Sequence, residues 1–85
     1  MILNVKKAVY LKDYVLKVTF NNGETRIIDL ESTIFNDPLP LFVPLREKDF
    51  FQQFTIKLNT ICWKNDFDLA PEFLYEIGVP ADEAA

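Results

Sequence analysis

The sequence predicts an α+β fold: a small antiparallel sheet built of a first strand and two hairpins, packed with short helices. Three observations carry that prediction. Residues 5–30 alternate between apolar and polar character and are broken by an Asn-Gly pair, the strongest short hairpin signal. Residues 54–64 repeat the alternation more cleanly. Near the end, a proline, an acidic residue and a glycine bracket an apolar run in the order that opens and closes a helix. With 85 residues in all, a single domain is expected over 1–79. Residues 80–85 carry no packing signal and read as a frayed tail.

The elements follow in order. Val5 to Leu11 is rich in β-branched and aromatic residues and forms the first strand, ended by a turn at Lys12-Asp13. Tyr14 to Phe20 and Thr25 to Leu30 form the first hairpin. A two-residue turn at Asn22-Gly23 would pair Phe20 with Thr25, Val18 with Ile27 and Leu16 with Asp29. Leu16, Val18, Phe20 and Ile27 then share the apolar face, but Asp29 falls there too, a conflict that a bulge would relieve. Residues 31–45 contain Pro38, Pro40 and Pro44, which exclude a continuous helix or central strand. The apolar residues between them predict an irregular connection packed down on the core, with an exposed binding loop as the alternative.

Arg46 to Gln53 reads as a short helix. A turn at Asn59-Thr60 would pair Leu58 with Ile61 and Ile56 with Trp63. Phe54, Ile56, Leu58, Ile61 and Trp63 then line one face, as in a half-buried antiparallel pair. The last helix runs from Pro71 to Ile77. Proline suits its first position, Glu72 complements the positive end of its dipole, and Gly78 stops it. With Ala70 as N-cap, Leu69 and Leu74 occupy the two positions of a hydrophobic staple.

Composition narrows the function. The net charge is −4, and nucleic-acid binders draw much of their affinity from positive charge, so direct nucleic-acid binding is not expected. A basic protein partner suits an acidic chain better. One cysteine gives no disulfide framework, and the first residues lack the pattern of a secretory signal. No apolar run is long enough to span a bilayer, so a cytoplasmic, membrane-free protein is expected.

No catalytic constellation is visible. Histidine is absent, removing the commonest general base and transition-metal ligand. Cys62 has no histidine to activate it, the two glycines cannot form a phosphate-cradling loop, and no enzyme activity or cofactor is expected. Asp66 and Asp68, with Asn65 and Glu72, could offer clustered oxygens to a hard cation, but they lack the spacing and glycine of a calcium loop. Asx hydrogen bonds in a turn explain the same residues, and no metal is expected. Arg46 is the candidate anion contact, with an ion pair to Asp29 or Asp49 as the structural alternative. Trp63 reads as a structural anchor of the core. Eight phenylalanines exceed what one small core needs, so part of the aromatic surface is expected against another chain, in a partner or a homo-oligomer. Asp66, Asp68, Glu72 and Glu76 are the residues expected to face a basic partner.

Taken in sequence, Tyr14 to Phe20, Asn22-Gly23-Glu24, Asp29-Leu30, Pro44-Leu45-Arg46, Phe50-Phe51, Trp63, Asn65, Asp68-Leu69, Pro71-Glu72 and Leu74-Tyr75 resemble a bacterial family, domain-of-unknown-function family 2442. The order and spacing of these pieces over residues 5–76 carry the resemblance. The chain departs from the family pattern at Asp66, where glycine is usual, and at Glu47-Lys48, where an Asp-Pro pair is favoured. The resemblance implies a small α+β domain with no established activity. Some members look like the antitoxin halves of two-gene modules, and others precede a helix-turn-helix domain, which is not expected in a chain of 85 residues. The expected function is a non-enzymatic interaction module, antitoxin-like or adaptor. The alternative is a small nucleic-acid-associated regulator acting as an oligomer.

Overall fold

The computed structural model describes residues 2–82. Its order is β1 (Val5–Lys12), β2 (Val15–Phe20), β3 (Thr25–Asp29), α1 (Glu31–Asn36), α2 (Lys48–Phe51), β4 (Thr55–Lys57), β5 (Thr60–Cys62), β6 (Asp68–Leu69), α3 (Pro71–Ile77) and β7 (Val79–Pro80). Single 3-10 turns at Pro40–Phe42 and Pro44–Arg46 lie between α1 and α2. The fold is α+β, but its strands make two sheets rather than one. A four-stranded sheet runs β1-β2-β3-β7, and a three-stranded sheet runs β4-β5-β6. One buried cluster joins them, with Leu16, Val18, Phe20 and Ile28 from the first sheet meeting Ile61, Trp63 and Leu69 of the second hairpin region.

The first hairpin differs from its expected register by one residue. Val18 faces Arg26 and Leu16 faces Ile28. The cause is a three-residue turn. The Gly23 N–H donates to Phe20 O, the Phe20 N–H donates to Glu24 O, and Gly23 takes φ +86°. This is a type I turn closed by a left-handed glycine rather than a two-residue type I′ turn. Because strand faces alternate with period two, one residue of shift moves Ile28 into the core in place of Ile27 and turns Asp29 outward. The conflict at Asp29 is thereby removed.

The same turn recurs where sequence gave no glycine. The Asp66 N–H donates to Trp63 O, the Trp63 N–H donates to Phe67 O, and Asp66 takes φ +62°. Asp66 therefore occupies the left-handed position that glycine fills in the first turn. Aspartate tolerates that conformation better than most residues.

The second hairpin turns one residue earlier than expected, at Leu58-Asn59, both with positive φ, and Ile56 faces Ile61. This two-residue slip preserves which side chains share a face, but not their burial. β5 is the central strand, so Thr60, Ile61 and Cys62 are all buried, while Ile56 and Leu58 project into solvent. The expected half-buried alternation is absent here: all three residues of β5, the strand between β4 and β6, are buried.

Three further expectations are corrected. Residues 31–36 form a helix, since the first proline of the region comes only at 38. Of the apolar residues beyond it, Phe42 and Leu45 are buried, but Leu39, Leu41 and Val43 are exposed. The tail does not fray at 80: Pro80 faces Arg26 in β7, and the Ala81 N–H donates to Thr25 O. Residues 83–85 of the expected tail lie outside the described residues. The open edge of β1 is also poorly suited to adding a strand. Bulges interrupt its pairing near both ends, Lys6, Lys7 and Lys12 are exposed along it, and Asn59 O accepts from the Val5 N–H.

α3 runs over the expected residues, with Ala70 as N-cap and both staple leucines buried. Gly78 ends it in extended conformation, φ −76°, so conformational freedom is not the reason for glycine there. A Cβ at Gly78 would lie 3.0 Å from Arg26 Cβ, 3.0 Å from Ile28 Cγ1 and 3.1 Å from Leu74 O. The chain must pass this close to β3 to add β7. Gly78→Ala is expected to cost about 1–3 kcal/mol through this overpacking. A urea midpoint equal to that of the wild type would show that the approach is looser.

Candidate functional site

The three helices span 6, 4 and 7 residues, too short to hold themselves together in water. Their last carbonyls need donors, and α1 and α3 have no basic residue in their last turn. Each of the three receives a donor from a distant side chain. Arg46 Nε donates to Ile34 O of α1 at 3.0 Å. Trp63 Nε1 donates to Phe51 O of α2 at 2.9 Å. Arg26 Nη1 donates at 3.1 Å to Tyr75 O of α3 and at 3.1 Å to Gly78 O. The two guanidinium groups also oppose the negative ends of α1 and α3.

Arg46 thus spends its Nε on the fold, and its guanidinium lies 5.7 Å from the centre of the Phe35 ring. Its own carbonyl accepts from the Tyr14 hydroxyl, which ties the segment between the helices to β2. Neither Asp29 nor Asp49 pairs with it among the described residues. The ion-pair alternative is therefore replaced by a helix clamp. Trp63 is buried, with its ring 5.7 Å from that of Phe51 and stacked at 6.4 Å on Phe67. Cys62 is buried beside it, with its Sγ directed at Trp63 O, in a setting for packing rather than reactivity.

The most concentrated polar cluster escaped sequence reasoning. Arg26 Nε and Nη2 donate to Glu24 Oε1 at 3.2 and 3.0 Å, and the guanidinium lies 3.8 Å above the Tyr75 ring. The Tyr75 hydroxyl donates to the other Glu24 oxygen, and Asn22 Oδ1 accepts from the Glu24 N–H at 3.0 Å. Asn22, Glu24 and Tyr75 all lie within the motif that carries the family resemblance, yet nothing in their spacing signalled contact across 51 positions. The cluster joins the first turn to α3. The Tyr75 hydroxyl, followed by Arg26, holds the Glu24 carboxyl below its ordinary value of 4.5.

The four acidic candidates do not converge on one point. Glu72 and Glu76 are exposed one turn apart on α3. Asp66 is exposed and lies 3.7 Å from Lys57 Nζ, a pair worth little in water. Asp68 is exposed on β6. Among the described residues, no group of three or more histidine, cysteine or acidic side chains is arranged to hold a metal ion. Asn65 instead serves its turn, accepting from the Phe67 N–H and donating to Leu41 O. No helix of the described residues is long and apolar enough to cross a membrane.

A two-sheet α+β domain whose short helices are pinned by remote side chains is the class of protein that this fold and these contacts define. The chain belongs to the DUF2442 family, described as a protein of unknown function, whose model matches residues 5–80. The match runs through Pro80, the last residue of β7. Comparisons with curated proteins and with solved structures found no match.

Two predictions test the turn and the cluster. Asp66→Gly should leave stability unchanged or raised, whereas Asp66→Val should lower it by about 1–2 kcal/mol, because a β-branched residue resists positive φ. Equal urea midpoints for the two variants would contradict the turn geometry. Glu24 has a depressed folded pKa, so its stabilisation is complete above 4.5 and lost as pH falls through the lower folded value. The melting-temperature gap between wild type and Glu24→Gln should therefore be widest above pH 4.5 and close on acidification. A gap that persists to the most acid pH would remove Glu24 from the linkage.

Proposed function

We propose that this protein is a non-enzymatic interaction module, antitoxin-like or adaptor, that engages a basic and partly apolar protein. The supporting observation is the surface it presents. Large apolar side chains are exposed on β1, at the tip of the second hairpin and along residues 35–43, with Leu58 at 84%. Where such side chains are contiguous they mark surfaces for protein contact. Asp66, Asp68, Glu72 and Glu76 supply exposed negative charge to steer a basic partner, and steering by exposed charge acts on association rate. Apolar contact then sets the lifetime of the complex.

One observation favours a second reading, a nucleic-acid-associated regulator acting as an oligomer. Lys7 and Lys17 share a shallow cleft on the open face of the four-stranded sheet with Val9, Thr19 and Thr25. Two lysines are few against phosphate, which leaves the protein-binding reading in front.

The test is recovery of partners from native lysate, followed by binding kinetics at two salt concentrations. Glu72→Lys with Glu76→Lys should slow association and flatten its salt dependence while leaving dissociation and melting temperature near wild type. Recovery of nucleic acid that survives a salt wash, with no protein partner, would put the regulator in its place.

A further inference from the structure

The 35–43 segment is exposed without being loose. Phe35, Leu39, Leu41 and Val43 are 47%, 42%, 44% and 52% exposed. Phe42, between Leu41 and Val43, and Leu45, just beyond them, are buried. Phe42 packs edge-on against Phe67 at 4.9 Å, and Asn65 Nδ2 holds Leu41 O at 3.3 Å. Asp37 Oδ1 accepts from the Leu39 N–H at 2.9 Å, and the Phe42, Val43 and Arg46 N–H groups donate to Leu39, Pro40 and Val43 carbonyls. Pro38 and Pro40, with Pro44 just after the segment, further restrict the backbone. The outward side chains therefore stand on a fixed ridge whose own core contacts are already made. Binding to such a ridge loses little ordering entropy.

Charge says what fits it. Asp29, Glu31, Asp37, Glu47 and Asp49 are all exposed, and none forms an ion pair among the described residues. Of the two cations in the same stretch, Arg46 donates to Ile34 O of α1 with its guanidinium 5.7 Å from the Phe35 ring, and Lys48 pairs with Asp13 at 3.1 Å, so the carboxylates outnumber them. Phe67, on which Phe42 rests, lies between two further exposed carboxylates in sequence, Asp66 and Asp68, the first of them 3.7 Å from Lys57 Nζ. Beside it, Phe35 lines an open cleft of about 440 Å³ with Asp29, Glu31, Ser32 and Asn36. A long cationic side chain would find there two carboxylates and an aromatic ring.

We propose that this ridge is the docking surface for a basic amphipathic segment of a partner protein. Its apolar side chains lie along Leu39, Leu41 and Val43, and a lysine or arginine enters the cleft beside Phe35. The proposal rests on the interaction reading above and names its contact surface.

The probe is a synthetic peptide alternating leucine and lysine, titrated into the isotope-labelled full chain, with a leucine–glutamate peptide as its counterpart. The lysine peptide should shift amide resonances of residues 29–49 and of the 65–68 turn, and the glutamate peptide should shift none. Leu39→Ser, Leu41→Ser and Val43→Ser together should weaken binding about tenfold or more, as loss of an interface centre does. These side chains are exposed, so melting temperature and spectral dispersion should be retained. Asp37→Asn with Glu47→Gln keeps the ridge and should reduce the salt dependence of binding instead. Binding that is unchanged in the triple serine variant, or shifts confined to α3 or the sheet face, overturns the surface while leaving the interaction reading intact. Concentration-dependent shifts of the same residues without peptide would assign the ridge to a second copy of the chain and overturn the proposal. Failure of the lysine peptide to bind also overturns it, and nucleic acid as the sole retained ligand overturns the interaction reading with it.

Discussion

Everything in this fold depends on how three very short helices end. Each closes on carbonyls that its own turns cannot satisfy, and each is completed by one donor from another element: Arg46 for α1, Trp63 for α2 and Arg26 for α3. A net hydrogen bond is worth about 0.5–1.5 kcal/mol, more when charged, and an orphaned buried acceptor costs comparably. In a domain whose helices have no stability of their own, such contacts decide whether the elements exist at all. They also stitch the chain together, since each donor lies far in sequence or on another layer from the helix it completes.

The two turns of the same type show how little sequence is needed to set a register. Gly23 and Asp66 each occupy a left-handed position after a type I turn, and in each case the turn delivers an aromatic to the core, Phe20 in one and Trp63 in the other. A glycine at the first site and an aspartate at the second give the same hydrogen-bond pair. The departure of Asp66 from the family pattern is therefore a change of residue at a position whose conformation the hydrogen bonds around it enforce.

The residues that carry the family resemblance are mostly spent on these structural tasks. Tyr14, Arg46, Trp63, Asn65, Glu24 and Tyr75 hold carbonyls, carboxylates or turns. Other motif residues, Asp29, Asp68 and Glu72, are exposed carboxylates, and the exposed apolar side chains of residues 35–43 lie outside the motif.

Sequence by itself determined the α+β class, the three strands of the first half and the span of α3 from Pro71 to Ile77. These are local properties, fixed by side-chain periodicity, proline geometry and residue chemistry. It missed α1, the register of both hairpins and the division into two sheets. Register depends on the turn that packing selects, and Asn-Gly is compatible with a two- or three-residue connection. Ile27 and Ile28 were equally apolar candidates for the core until the three-residue turn chose Ile28. Only tertiary structure could bring Arg26 beneath α3, Arg46 to α1 and Trp63 to α2. A helix end records its unmet carbonyls in sequence, but the donor that meets them is chosen by the path of the whole chain.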